Sequence, residues 1–217
     1  KTYFTEYVVE DGNRFYTSVD GVLYYYDSLY GVPYAYSFDG EGSGPITIPE
    51  NCTGMFYGAL DCPFITAVYV EEGNTHFTSV DGVLYSKDMS ALYCRPGEYG
   101  KDLVIPEGVV CVYGDALVGP SVTSEHQSWH VSFPESLEEL MTGFPYLVMT
   151  QDGAVEATAE LLAGNSFLVY DGMLLPQVYV SVESTSGGAV TGEGFYYPGE
   201  VVTVTVTPDS GYRITSI

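Results

Sequence analysis

His126 and His130 stand four residues apart with Glu125 beside them. On a helix this spacing would put two imidazoles on one face, as in the H-E-x-x-H zinc motif. The position after His126 is Gln127, so the carboxylate that would serve as general base is missing, and the run from Ser128 to Phe133 alternates as a strand does. A surface loop entering a strand is the expected structure, and no metal is expected. Ser43, in Gly40-Glu41-Gly42-Ser43-Gly44, lacks the G-x-S-x-G register of a strained nucleophile elbow. Adjacent carboxylates such as Glu71-Glu72 and Glu138-Glu139 could do acid/base chemistry, but a chain with 29 Asp and Glu offers such pairs everywhere. Acidic turns at Asp11, Asp39 and Glu41 carry oxygen ligands suited to Ca²⁺, without the spacing of a D-x-[DN]-x-[DN]-G loop. The four cysteines, Cys52, Cys62, Cys94 and Cys111, form no C-x-x-C pair. They read as small buried hydrophobes, with a Cys94–Cys111 pairing left open because spacing does not fix a Cα separation. No catalytic residue and no cofactor are expected.

Aromatic residues are the remaining chemical signal. There are 21 tyrosines, with a cluster at Tyr24, Tyr25, Tyr26, Tyr30, Tyr34 and Tyr36. Tyrosine offers a rigid apolar body with a polar tip, which suits binding surfaces, and alternating Tyr in short strands equally fills a β surface. If a ligand surface exists, the loop carrying Tyr30, Tyr34 and Tyr36 is its expected place, because loops held by a rigid scaffold carry recognition disproportionately.

The bulk properties narrow the partners. At 217 residues the chain can bury a self-sufficient core. Lys+Arg is 6, giving a net charge of -23, so phosphate backbones and anionic lipid surfaces are repelled and nucleic acid is excluded as a partner. No apolar run approaches the roughly 18 to 20 residues of a membrane helix. Lys1-Thr2-Tyr3 shows neither an initiator Met nor a signal-peptide core, as expected of a mature or trimmed chain.

What positions these residues is a repeat. Tyr7 to Tyr24 (YVVEDGNRFYTSVDGVLY) and Val68 to Tyr85 (VYVEEGNTHFTSVDGVLY) are identical at 12 of 18 positions at an offset of 61 (68 minus 7). His76 stands where the first copy has Phe15, so it reads as packing or surface variation. Ile48-Pro49-Glu50 with Ala59-Leu60 recurs as Ile105-Pro106-Glu107 with Ala116-Leu117 at an offset of 57, and a weaker start appears at Phe133-Pro134-Glu135. Gly164-Asn165-Ser166-Phe167 then echoes the Gly-Asn element. Tyr7-Val8-Val9, Val68-Tyr69-Val70 and Leu103-Val104-Ile105 read as short strands. Asp20-Gly21 and Asp81-Gly82 read as two-residue hairpin turns. The prolines at 49, 106 and 134 suit extended backbone at strand ends. The Ala-Leu pairs close segments long enough for one turn of helix or 3₁₀. Units of this size cannot bury a face alone and should stack as a solenoid.

The pattern IPE-x8-AL-x-C-P-x-I-x2-V-x-V from Ile48 to Val70, continuing as GN-x-x-F-x-S-V-DGVLY-x-K-D to Asp88, resembles the BspA-like leucine-rich repeats of bacterial surface and secreted proteins. The resemblance covers residues 5 to 120 well and 130 to 176 loosely. Ala-Leu stands for the family's Ala-Phe, and residues 118 to 130 look like an insertion. It implies a solenoid with a strand in each rung and an interior cysteine at Cys62. From Val178 the composition changes, and Val202-Thr203-Val204-Thr205-Val206-Thr207 alternates as a half-buried strand. This segment resembles the internalin B-type repeat, a small β-grasp-like module. The expected architecture is mainly β, with a solenoid over 1–176 and a partial module over 178–217 whose unprotected edge could pair with a neighbouring chain. The resemblance implies a cell-surface or secreted bacterial protein that adheres to host or bacterial proteins or glycans. A structural spacer in a longer surface protein is the alternative, and an accessory region of an enzyme would need a convergent pocket of carboxylates or His.

Overall fold

The fold is built on one hairpin used twice. Asp20-Gly21 and Asp81-Gly82 turn the chain with positive φ at both residues (49° and 78°, then 51° and 83°), the combination that matches a two-residue turn to the twist of its strands. In the second copy a Cβ on Gly82 would lie 2.9 Å from that of Ala67, so side-chain space also demands glycine there. The computed structural model describes residues 6–32, 44–56, 58–60, 65–96, 102–117, 129–142, 146–150, 152–170, 173–182, 187–196 and 201–214.

Around the first turn β1 (Tyr16–Val19) pairs antiparallel with β2 (Val22–Tyr25), and β3 (Ser28–Gly31) returns along β2. β4 (Gly44–Ile48) and β5 (Gly54–Met55) follow, with β5 parallel to β3. β6 (Ile65–Val70) lies parallel to β4 with Val68 opposite Ile46, 22 residues on. The hairpin then recurs as β7 (Phe77–Val80), β8 (Val83–Ser86) and β9 (Ala91–Cys94), and both copies carry a register shift at the same Leu-Tyr step of the central strand.

The next rungs stack in register. β10 (Leu103–Val104) precedes β11 (Cys111–Tyr113), which is parallel to β9 and runs into a 3₁₀ turn at Gly114–Leu117. β12 (Trp129–Ser132) lies parallel to β10 and β13 (Glu139–Met141) parallel to β11, each 28 residues on (103 to 131, 111 to 139). Parallel pairing at intervals of 20 to 30 residues is what a solenoid requires, and it meets the expectation of a strand in each rung. The array closes with β14 (Leu147–Thr150), β15 (Gly153–Glu156), the single helical turn α1 (Ala159–Leu162) capped by Thr158, β16 (Ser166–Tyr170) and β17 (Met173–Val180). β17 continues across the expected boundary at 176–178, pairing with β16 through Gln177 and, from Val178, with β19. Beyond it lie β18 (Gly188–Thr191), β19 (Gly194–Tyr196) and β20 (Thr205–Pro208). The described residues there make antiparallel pairs, β17 with β19 and β18 with β20, and include no helix.

Three local expectations need correction. Tyr7-Val8-Val9 is not a strand: Tyr7 N donates to Gly21 O as Val68 N does to Gly82 O, but no strand among the described residues lies beside it as β4 lies beside β6. Val202 to Val204 are likewise outside the ladder, because β18 is only four residues long and its register takes Thr205 to Pro208. Ala59-Leu60 closes a hydrogen-bonded turn, Ala59 N to Phe56 O, where Ala116-Leu117 closes a 3₁₀ turn.

The core has two clusters, one from Val22 to Cys94 and one from Val83 to Leu174. The second hairpin lies between them. Leu84, Phe77 and Cys94 belong to the first cluster, and Val83, Tyr85 and Leu92 to the second, so β8 is buried on both faces. In the first copy Val22 and Tyr24 are buried while Leu23 is only half-buried, so that hairpin is covered on one face. Arg95, at the end of β9, is buried with its guanidinium carbon 3.8 Å from the centre of the Trp129 ring.

Candidate functional site

The one-sided burial of the first hairpin sets out a surface. Side chains alternate across a sheet. Tyr24 and Leu29 point into the core, which sends their neighbours Tyr25 and Tyr30 outward, and Tyr16 joins them as the cross-strand partner of Tyr25. Phe56, whose N–H donates to Leu29 O, brings a fourth ring from the next rung. These four close a circuit: Tyr16–Tyr25 at 5.2 Å between ring centres, Tyr16–Tyr30 at 5.5 Å, Tyr30–Phe56 at 5.2 Å and Tyr25–Phe56 at 6.0 Å. Tyr26 packs on Tyr25 at 4.7 Å and Phe15 on Tyr26 at 6.0 Å. The rings meet at 59° to 89°, so they form a knobbed surface rather than a flat one. Edge-to-face contacts of this kind fix ring orientation in advance. Desolvation, then the nearby Tyr30 and Tyr25, push the Tyr16 phenol above its ordinary value.

Phe15, Tyr26, Tyr30 and Phe56 remain 51%, 57%, 45% and 43% exposed, which decides against their being core residues. Tyr30 is exposed, but it stands on β3 and not in the loop where the sequence reading placed it, and its companions are Tyr16, Tyr25, Tyr26, Phe15 and Phe56. Tyr34 and Tyr36 lie outside the described residues. The missed residues were legible through strand alternation against Leu29; Phe56 was not, because only the stacking of rungs brings it there. Only part of this series recurs in the second repeat: Phe77, Tyr93 and Tyr113 take the places of Tyr16, Tyr30 and Phe56, at 5.4 and 4.7 Å between ring centres, with Phe77 buried and the other two half-buried, while Phe15, Tyr25 and Tyr26 become His76, Ser86 and Lys87.

A polar turn takes the place of Tyr25 and Tyr26 in the second repeat. Asp88 accepts from the Ser86 and Ser90 hydroxyls, both at 2.7 Å, and from Ser90 N at 3.1 Å. These bonds, the Ser86 hydroxyl first, hold its carboxyl down at about 2. A depressed folded pKa gives stability that is present above the unfolded value and lost as pH falls through the folded one. Unfolding followed from pH 5 to pH 1.5 should therefore show Asp88→Asn less stable than the native chain at pH 5, with the difference closing below about pH 2.

The other candidates acquire plain structural roles. His130 sits on β12 with its Nδ1 3.1 Å from an Asp102 oxygen, which also accepts the His130 N–H; His126, Ser43, Asp39, Glu41 and Cys62 lie outside the described residues. Among the described residues no three His, Cys, Asp or Glu come together as a metal site. Cys52 and Cys111 form no disulfide, and burial pushes their thiols up, away from the thiolate a nucleophile needs.

Residues 178–216 match the divergent InlB B-repeat domain. This B-repeat segment begins within β17 and contains the β17–β19 and β18–β20 pairs. No curated protein matches the chain. Among solved structures, a leucine-rich repeat protein from Eubacterium ventriosum is similar over 50% of this chain and 30% of its own, at 17% identity and a TM-score of 0.38. The pneumococcal vaccine antigen PcpA is similar over 48% of this chain and 38% of its own, at 20% identity and a TM-score of 0.30. The chain thus spans well under half the length of either. No described helix is long and apolar enough to cross a membrane.

Proposed function

We propose that this chain is a bacterial cell-surface or secreted repeat protein that adheres to an extracellular protein partner through the aromatic face of β1, β2, β3 and Phe56. The observation that carries the reading is the closed circuit of rings on the first repeat, which leaves Phe15, Tyr26, Tyr30 and Phe56 exposed, against a second repeat that keeps only the buried Phe77 and the half-buried Tyr93 and Tyr113. Rings that served only to fill a sheet would be covered in the first copy as Phe77 is in the second. Tyr-rich surfaces give large contact area at small entropic cost. The crossed ring planes suit the contoured surface of a protein better than the flat face of a polysaccharide chain.

A spacer role draws support from a different feature. β17 is one strand that pairs with β16 on the solenoid side and β19 on the B-repeat side, a continuous link suited to holding two modules at a fixed distance. The two readings separate in a solid-phase screen of the purified chain against extracellular-matrix proteins, mucins and glycans at low and physiological salt. Saturable binding to a protein supports the adhesin; binding to a glycan alone, or no saturable binding at all, removes the protein-adhesin reading, and the latter leaves the spacer.

A further inference from the structure

A second recessed surface shares no residue with the aromatic face. Where β6 leaves the second hairpin, between the Val68 N to Gly82 O bond and the turn at Asn74, a cleft of about 640 Å³ opens. That is within the range of roughly 300 to 1,000 Å³ that small-molecule sites occupy. Its floor includes buried Phe77 and half-buried Val70, and the ring of Tyr69 stands at its side with 52% of the residue exposed. Around the rim are the carboxylates of Glu71, Glu72 and Asp81, the hydroxyl of Thr78 and the ammonium of Lys87.

The distribution of these groups selects the ligand. The three carboxylates are not gathered closely enough to hold a metal ion among the described residues, so each is a separate acceptor. Glu71 already accepts the Glu50 N–H at 2.7 Å, which fixes its position. Lys87 makes no ion pair among the described residues and is the one cationic donor on the rim. Spaced acceptors, a single strong donor, a hydroxyl and an exposed aromatic ring match a ligand that carries several hydroxyls on one side and an apolar C–H face on the other. The acidic majority repels anionic sugars.

We infer that this cleft binds a short neutral oligosaccharide, its apolar face against Tyr69 and its hydroxyls donating to Glu72 and Asp81 and accepting from Lys87. The inference goes beyond the adhesin reading and does not depend on it.

The test is saturation-transfer NMR and calorimetry of the whole chain with lactose, maltotriose, cellobiose and chitobiose, and with spermine as the cationic alternative. Tyr69→Ala, Asp81→Asn and Lys87→Met are measured beside it; Asn tolerates the positive φ at 81, so that variant keeps the turn. At least one sugar should bind, about tenfold more weakly in Tyr69→Ala and measurably more weakly in the other two. The Tyr25→Ser/Tyr30→Ser/Phe56→Ser chain should bind it unchanged, which separates this site from the aromatic face. Binding of no sugar, sugar binding indifferent to Tyr69→Ala in a chain with a native circular-dichroism spectrum, or spermine binding alone would each overturn the inference.

Discussion

Asn74→Ala should destabilise the chain by about 3 to 5 kcal/mol, while Asn13→Ala, at the same position of the first repeat, should cost about 1 kcal/mol or less. The residue is the same and its surroundings differ. Asn74 is 1% exposed and uses all its side-chain polar capacity. Its Nδ2 donates to Pro49 O and Cys52 O, both at 2.8 Å, and its Oδ1 accepts from His76 N and Phe77 N, both at 2.8 Å. It thus ties the end of one rung to the start of the next hairpin. Alanine would take one of the two donors from Pro49 O and remove the side-chain partners of Cys52 O and the buried Phe77 N–H, and stranded buried groups cost more than the bonds themselves contribute. Asn13 makes only the local half of this set, accepting from Phe15 N at 2.9 Å and Tyr16 N at 3.0 Å at an exposed position. Urea denaturation of the two variants checks the comparison. Asn74→Asp sharpens it, since the near-isosteric carboxylate loses both donors and faces two carbonyls; it should be at least as damaging as Asn74→Ala at pH 7.

The second large effect follows from the double burial of β8. Leu84→Ala should cost about 3 to 5 kcal/mol, from lost transfer free energy and a cavity between packed neighbours. Leu84 is fully buried, in the cluster that includes Ile46, Ile65 and Phe77. Leu23→Ala, its counterpart in the first hairpin, should cost about 1 kcal/mol, because Leu23 is only half-buried. Thermal or urea unfolding distinguishes the pair, and equal losses would mean that the first hairpin is covered on both faces as the second is.

These paired effects show what was readable in advance. The two Asp-Gly turns, the strand before each Pro-Glu and the stacking of rungs follow from local chemistry, since turn residues with positive φ and period-two alternation leave little freedom. Which copy of an identical segment would be core and which surface does not follow from it. Val22-Leu23-Tyr24 and Val83-Leu84-Tyr85 are the same three residues, and only their neighbours along the solenoid decide their burial. The same holds for the site. Tyr30 was legible as an exposed aromatic, whereas Phe56 lies 26 residues away in sequence (56 minus 30) and reaches it only because β5 lies parallel to β3. The strand at Val202 was misplaced because alternation reveals which residues could pair, while the length of β18 limits how many do.

The assignment of recognition to the first repeat's aromatic face is decided by equilibrium binding of matched variants. Three chains are titrated against every member of the matrix, mucin and glycan panel: the native chain, Tyr25→Ser/Tyr30→Ser/Phe56→Ser, and a second-repeat control carrying His76→Ala. The native and control chains should bind a protein of the panel saturably, and the aromatic variant more than about 100-fold more weakly, as expected when three central aromatic anchors are lost. Binding to a protein of the panel that the aromatic variant retains undiminished would place recognition elsewhere on the chain and contradict this assignment.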